Sequence, residues 1–410
     1  MAILDVRDLR YYYRTRRGPV KAVDSVSFSI DAGKTLAVVG ESGCGKTSTA
    51  TAILRLLPRN VDTYEGQVLL DDHDIMAYSD EEFRKEVRWR RISIVFQGAM
   101  NALSPTIRCG LQLAEPLIVH QDVDKGEALA VAREGLRSVG LPEDVALRYP
   151  HELSGGMKQR VVIAMALVMK PKLVILDEPT SALDVMTQAN IINLLKRLQR
   201  EASLSYLFIT HDLGLASELA DDVAIMYAGR FIEVGPASRV YPSPRHPYTQ
   251  RLIQSVPLLR SEVAPDFIPG APPDLTKVPE GCPFHPRCPA AFNLCGWSVV
   301  DLQGFLEQRS RSTPGATHAG STYEAKGAWK LVITPRKGMG PSAVVQELQA
   351  LVARDAATTP VLTAVESIAE RSGRAIVTLR TAERPGFTSD DSRRAACWLL
   401  TETGGSHAAA

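Results

Sequence analysis

The run Gly40-Glu-Ser-Gly-Cys-Gly-Lys46-Thr47 constrains this chain more than any other feature in it. It follows the apolar stretch Leu36-Ala-Val-Val39, which reads as a strand, and it opens a helix. Glycines at 40, 43 and 45 let the backbone curl so that its amides point inward at an anion. In that setting Lys46 reaches the β- and γ-phosphates of a nucleotide, and the Thr47 hydroxyl binds Mg²⁺. A glycine-rich turn can match the spacing by chance, but a strand before it and a helix after it are the context this chemistry requires. Ser42, Gly43, Cys44 and Ser48 complete the loop. Cys44 reads as a small residue tolerated among glycines. Because a helix N-terminus lowers a thiol pKa, sensitivity to alkylation or oxidation is its second reading.

Further short apolar runs, Ile92-Ser-Ile-Val-Phe96, Leu173-Val-Ile-Leu176 and Tyr206-Leu-Phe-Ile209, alternate with helical segments as far as about Val240. That alternation predicts an α/β fold with parallel strands at its centre. One of these runs ends in Asp177-Glu178-Pro179. Asp177, at the C-terminal edge of a buried strand, is placed to hold Mg²⁺ through water. Strand alternation turns Glu178 elsewhere, making it the candidate to orient or deprotonate an attacking water.

At 410 residues the chain has room for two to three domains. From Tyr241 to Gly296 proline is so frequent that loops are expected around one short helix near Tyr248 to Gln254. From Trp297 onward a small α/β unit is expected: a strand Lys330–Thr334, a helix Ser342–Ala353, a second helix Val361–Arg371 and a second strand Ala375–Arg380, before a frayed tail from Gly404. Basic and acidic residues number 47 and 46, so bulk charge gives no reason to expect nucleic acid as a partner. The longest wholly apolar run, Val161 to Met169, falls short of the roughly 20 residues a bilayer needs, and Met1 to Arg17 has no export-signal core. A soluble chain with reduced thiols is therefore expected in the cytoplasm, with any membrane role carried by a partner.

Leu153-Ser154-Gly155-Gly156-Met157-Lys158-Gln159-Arg160 precedes the apolar helix read at Val161 to Met169. Ser154 is a good N-cap, and the two glycines expose helix amides to an anion. At this point the sequence resembles the ATP-binding subunit of an ABC transporter, whose signature loop reads Leu-Ser-Gly-Gly-Gln. Met157 departs from the usual glutamine, a mild change because the serine and the glycine amides make the phosphate contacts. The other motifs occur in family order over Met1 to about Val240. Gln97 matches the glutamine loop, which contacts Mg²⁺ and water near the permease. Ser181-Ala-Leu-Asp184 matches the loop that crosses the dimer interface, and His211 the switch histidine at the γ-phosphate. Tyr13 best matches the aromatic that stacks on adenine, with Tyr11 and Tyr12 as neighbours. The resemblance implies a P-loop ATPase cassette at 1–240 with a helical subdomain at about 98–170. It also implies head-to-tail pairing, in which Ser154, Gly155 and Gly156 complete the site on the partner while Lys46, Gln97, Glu178 and His211 act on the chain's own ATP.

Arg245-His-Pro-Tyr-Thr249, Ile268-Pro-Gly-Ala-Pro-Pro273 and Gly281-Cys-Pro-Phe-His-Pro-Arg-Cys-Pro289 resemble the C-terminal extension of the oligopeptide/dipeptide-importer branch. Cys282, Cys288 and Cys295 are spaced C-x5-C-x6-C, which in a cytosolic protein reads as metal-binding. The extension ends in a final cysteine in an Ala-Cys-aliphatic context, and Ala396-Cys397-Trp398-Leu399 is a partial match. Four cysteines suit the [4Fe–4S] cluster that this branch carries. Structural Zn²⁺ and unligated thiols remain alternatives, and His285 is a possible replacement ligand. The family spaces its last two cysteines more closely than the hundred or so residues between 295 and 397 here. The chain therefore reads as an extension at 241–300, a small α/β insertion at 301–390 and the end of the extension at 391–410. The insertion reads as a packing element or, second, a docking or regulatory domain.

These features together resemble an import motor at the cytoplasmic face of the membrane. It would act with a second ATPase subunit, homologous or identical, two membrane permease subunits and, indirectly, an extracellular solute-binding protein. Di- and oligopeptides are the expected solutes, with oligosaccharide or nickel as alternatives. A non-transport ABC ATPase usually carries two cassettes or coiled-coil inserts and an exporter usually fuses the cassette to membrane spans; neither feature is seen here. A redox or metal sensor rests on the cysteines alone.

Overall fold

The computed structural model describes residues 1–255, 267–313, 315–390 and 392–401, in two compact units, Met1–Ser243 and Pro244–Ala410. The first unit opens with β1 (Ala2–Tyr13), β2 (Val20–Asp31) and β3 (Thr35–Val39), then α1 (Lys46–Ile53), β4 (Val61–Leu70), β5 (His73–Asp74), α2 (Asp80–Glu82) and β6 (Ile92–Val95). Three longer helices follow, α3 (Cys109–Gln121), α4 (Lys125–Ser138) and α5 (Gly155–Leu167). The unit closes with β7 (Leu173–Asp177), α6 (Val185–Ala202), β8 (Ser205–Thr210), α7 (Leu213–Leu219), β9 (Asp222–Tyr227), β10 (Arg230–Pro236) and α8 (Ala237–Val240).

Every residue of β3, β7 and β8 is buried, as expected for parallel strands covered on both faces. The strands run in the order β10-β9-β3-β8-β7-β6, parallel except where β10 turns back on β9. The expected parallel centre is thus present. A second sheet, antiparallel in the order β2-β1-β4-β5, is not anticipated by the motif pattern. Its apolar face (Leu4, Val6, Leu9, Val26 and Ile30) shares one core with Val38 and Ile53 and with Ile175 and Ile209 of the parallel strands. That core clamps α1, and with it the end of the phosphate loop. α5 begins at the signature glycines, earlier than the apolar run that marked it in the sequence.

The second unit holds α9 (Pro247–Gln254), α10 (Val299–Ser312), β11 (Thr322–Ala325), β12 (Lys330–Thr334), α11 (Pro341–Asp355), α12 (Pro360–Thr363), β13 (Val365–Arg371), β14 (Arg374–Leu379) and the hairpin β15 (Thr388–Asp390) and β16 (Arg393–Ala395). An antiparallel sheet, β11-β12-β14-β13, packs Leu331, Ile333, Val377 and Leu379 against Leu302 and Leu306 of α10 and Val344 and Leu348 of α11. The helix expected over Val361–Arg371 is a correction. Pro360 starts a single helical turn, and Val365 to Arg371 then forms a strand. The turn Ser372-Gly373 explains it: both residues have positive φ, 50° and 71°, and Arg371 pairs directly with Arg374. Two residues of that conformation make the tight hairpin turn that suits twisted strands. α10 also lies outside the sequence reading, although Ser298 and Asp301 form a reciprocal cap at its start. The tail from Gly404 falls outside the described residues.

Candidate functional site

The loop after β3 and the end of β7 meet. α1 starts at Lys46 behind Gly45, whose φ of 112° is a left-handed conformation and whose Cβ, if present, would strike the Ala22 carbonyl. Only glycine fits there. Lys46, 6% exposed, donates from Nζ to the carbonyls of Gly40 at 2.7 Å and Glu41 at 3.0 Å, inside the loop. Thr47 Oγ1 donates to Asp177 Oδ1 at 3.1 Å. Burial pushes the Asp177 carboxyl up to about 6, against the opposing pull of the Thr47 hydroxyl. Cys44 is buried, and burial raises its thiol despite nearby Lys46. Burial of the thiol argues against the second reading of Cys44 as a sensitised thiol.

Glu178 follows β7 with φ 49°, so a left-handed turn, not strand alternation, separates its direction from that of Asp177. Its amide donates to the Ile209 carbonyl of β8 at 2.9 Å, fixing the turn. Its carboxylate accepts from Gln97 Nε2 at 2.9 Å and lies 3.0 Å from His211 Nδ1. Three residues from separate loops, after β6, β7 and β8, converge in this way. A carboxylate so held, with His211 60% exposed beside it, can orient or deprotonate water at an open site.

The three tyrosines of β1 divide. Tyr11 is fully buried, and Tyr12 donates to Asp24 at 2.6 Å. Tyr13 Oη lies 3.0 Å from Ser48 Oγ in the first turn of α1. Tyr13 is therefore the tyrosine of the three that stands at the phosphate loop.

Ser154 caps α5, its Oγ accepting from the Met157 amide at 3.3 Å. The neighbours of its glycines form a second group. A Cβ on Gly155 would stand 3.5 Å from Leu183, and one on Gly156 2.8 Å from the Thr187 methyl. Asp184 caps α6 and accepts from Thr187 through both its amide and its hydroxyl. Thr187 was not singled out by motif, although Asp184 at a helix start is itself an N-cap signal. Beside Gln97 an apolar hollow of ≈ 280 Å³ is lined by Trp89, Ile94, Phe96, Leu103, Val162 and Met165.

In the second unit Cys282, Cys288, Cys295 and Cys397 line one small cavity with His246 and His285. The four thiols are thus gathered across the interval from 295 to 397. Burial raises all three of the first set, Cys288 to about 12 and Cys295 to about 11. His285 Nδ1 lies 2.9 Å from the Cys282 carbonyl, and its Nε2 lies 3.5 Å from Asp301 Oδ2 at the start of α10. The free space is only ≈ 10 Å³, about one water. Among the described residues no three His, Cys, Asp or Glu side chains are already set around a single metal ion. Four cysteine thiols are the donor set that an iron–sulfur cluster takes.

The family model described as ABC transporter matches residues 23–181, and that described as oligopeptide/dipeptide transporter, C-terminal region, matches residues 232–295. The chain is 44% identical over 313 residues to the oligopeptide transport ATP-binding protein OppD of Salmonella typhimurium, spanning 76% of this chain and 92% of that one. It is also 44% identical over 299 residues to the dipeptide transport ATP-binding protein DppD of Bacillus subtilis, spanning 72% and 88%. Among solved structures, a dimeric ATP-binding cassette in a post-hydrolysis state with ADP and Pi is similar with a TM-score of 0.51 and 29% identity, over 57% of this chain and 98% of that one.

Proposed function

The chain belongs to the ATP-binding subunits of ABC transporters, and on that premise we propose that it is the ATP-hydrolysing motor of an importer for di- or oligopeptides. The single observation that carries the ATPase chemistry is the Glu178 carboxylate, held between Gln97 at 2.9 Å and His211 at 3.0 Å beside the Thr47–Asp177 pair. Lys46 exchanges its two loop carbonyls for phosphate oxygens when nucleotide enters. Mg²⁺ supplies charge neutralisation at the β- and γ-phosphates; Thr47 and Asp177 would hold it, with Gln97 at its edge. Glu178 takes the proton of the attacking water, and His211 steadies the γ-phosphate. Gly40, Ser42, Gly43, Cys44, Gly45 and Ser48 cradle the phosphates, and Tyr13 stacks on the base. Ser154, Gly155 and Gly156 reach the nucleotide of a second ATPase subunit, with Asp184 between the two sites.

The apolar hollow beside Gln97 supports docking of a membrane permease on the cassette, which makes the chain peripheral to the membrane at its cytoplasmic face. Among the described residues no helix is long and apolar enough to cross a membrane. Two permease subunits and an external solute-binding protein complete the importer in this reading. Replacing Glu178 by Gln in the assembled complex tests it. ATP binding should persist while hydrolysis fails; near-normal turnover would sink the assignment.

For the second unit the proposed group is a [4Fe–4S] cluster on Cys282, Cys288, Cys295 and Cys397, with a structural role. The support is the shared cavity of the four thiols. As free thiols Cys282, Cys288 and Cys295 hold their protons, so loading must release them. Zn²⁺ is the rival. Anaerobically purified protein that carries zinc without iron or brown colour decides for it.

A further inference from the structure

The geometry points to Thr187 as a positioning residue that ties the signature loop to the loop bearing Asp184, so that both move as one piece. This rests on the reading above, in which the signature loop serves the partner's nucleotide. Thr187 lies in the first turn of α6, behind Val185 and Met186, which are 78% and 74% exposed. Its amide donates to Asp184 Oδ1 at 3.0 Å and its hydroxyl to Asp184 Oδ2 at 2.6 Å. One residue therefore holds both carboxylate oxygens. From the same Cβ, the methyl of Thr187 stands 2.8 Å from the position a Cβ on Gly156 would take.

A single torsion links the two contacts. A β-branched side chain in a helix has few χ1 states, and here the hydroxyl's bond to Asp184 selects one of them. Selecting it aims the methyl at Gly156. Asp184 cannot shift without turning the hydroxyl, and the hydroxyl cannot turn without moving the methyl off the signature loop. Leu183 supports the same joint from the other side, 3.5 Å from the Cβ position of Gly155. Gly156 is constrained in turn, because any side chain there meets the Thr187 methyl.

The consequence falls on the other chain. Loosening Thr187 displaces Ser154 and Gly156, which face the partner's nucleotide, while Lys46 and Thr47 of the same chain stay in place. The test uses the complete importer complex, with the substituted and unsubstituted ATPase subunits carrying different tags, and photolabelling by an azido-ATP analogue. Thr187→Ala should raise the analogue concentration for half-labelling of the unsubstituted partner about five-fold, the scale of one lost solvent-exposed hydrogen bond. Labelling of the substituted chain should stay unchanged. Thr187→Val, which keeps the methyl, and Thr187→Ser, which keeps the hydroxyl, should each give a smaller shift of the same kind, and they carry the test if the alanine variant does not fold. Wild-type labelling of the partner, or equal weakening on both chains, overturns the proposal. Lys46→Ala separates the two levels: if it leaves the label on its own chain, the nucleotide-site reading has failed rather than the Thr187 joint.

Discussion

The nucleotide site of the first unit and the cysteine cavity of the second collect their side chains over very different stretches of structure. In the first unit Lys46, Thr47, Asp177, Glu178 and His211 stand at the C-terminal ends of β3, β7 and β8 or just beyond them. Three adjacent parallel strands bring those ends together, so the sheet does the positioning and each loop needs only a short motif. Among the described residues, none of the four cysteines lining the second-unit cavity lies in a strand. Cys282, Cys288 and Cys295 come from a proline-rich segment and Cys397 from beyond a hairpin, with α10, α11 and a four-stranded sheet in the interval. The first site is preorganised by backbone hydrogen bonds. The second has no comparable ladder, because the irregular segment bearing Cys282, Cys288 and Cys295 makes few backbone bonds of that kind.

That contrast is broken most directly at Glu178. If the first site is preorganised, Glu178→Gln keeps the shape and removes only the proton acceptor, so nucleotide affinity should hold while kcat falls about 10²- to 10⁴-fold. Equilibrium nucleotide binding and single-turnover hydrolysis in the assembled complex check both halves. A parallel loss of affinity would mean that the carboxylate itself shapes the site. In the second unit, Cys397→Ser removes one donor of four. If the bound group organises the segment, the melting transition of the second unit should drop by about 10 °C and the bound metal should be lost. Calorimetry with metal analysis decides. An unchanged transition would place the stability of this unit in the apolar core around Leu306 and Leu348 instead.

The same contrast explains what could be read from residues alone. The parallel strands were legible because each is an uninterrupted apolar run, and the site was legible because its residues sit within a few positions of those runs. The antiparallel sheet was not, since β1 mixes Arg7, Asp8 and Arg10 among its apolar positions and has bulges that break the alternation. Val361–Arg371 misled because Val361, Leu362, Val365 and Ile368 recur at helical spacing. The positive-φ pair Ser372-Gly373 outweighed that periodicity. Glu178 is set apart from Asp177 by a left-handed turn where the residues alone suggested strand alternation. Thr187 was invisible as a joint because its methyl meets Gly156, some thirty residues earlier.

Asp177 offers a sharper test through pH. Its carboxyl is pushed up to about 6 by burial, so in the empty site it is protonated below that pH. A metal ion needs the carboxylate, so the Mg²⁺ dependence of nucleotide binding should weaken by up to about tenfold for each pH unit below 6 and level off above it. Asp177→Asn should flatten this profile. Stability runs the other way in metal-free protein. A carboxyl harder to ionise when folded than when unfolded costs stability as pH rises from about 4 to 6, with the full cost present above that window. Titrating nucleotide affinity and unfolding over pH 4 to 8 reads both slopes, and slopes of the same sign would contradict the buried-carboxyl account.

The smallest effect should come from the tyrosine at the phosphate loop. Tyr13 has two functions to separate: the ring, available to stack on a base, and the hydroxyl, 3.0 Å from Ser48 Oγ. Tyr13→Phe removes only the second. A neutral hydroxyl pair near the surface contributes little net energy, so KM for ATP should rise no more than about twofold. Tyr13→Ala removes the ring as well, and loss of base stacking should raise KM about tenfold. Tyr12→Phe is the matching control, because its hydroxyl is bound to Asp24 on the opposite face of β1. If Tyr12→Phe moves KM more than Tyr13→Phe does, the base lies against the other face. The preorganised end of the comparison would then have to be redrawn around Asp24 and Arg230, which donates to the same carboxylate at 2.9 Å.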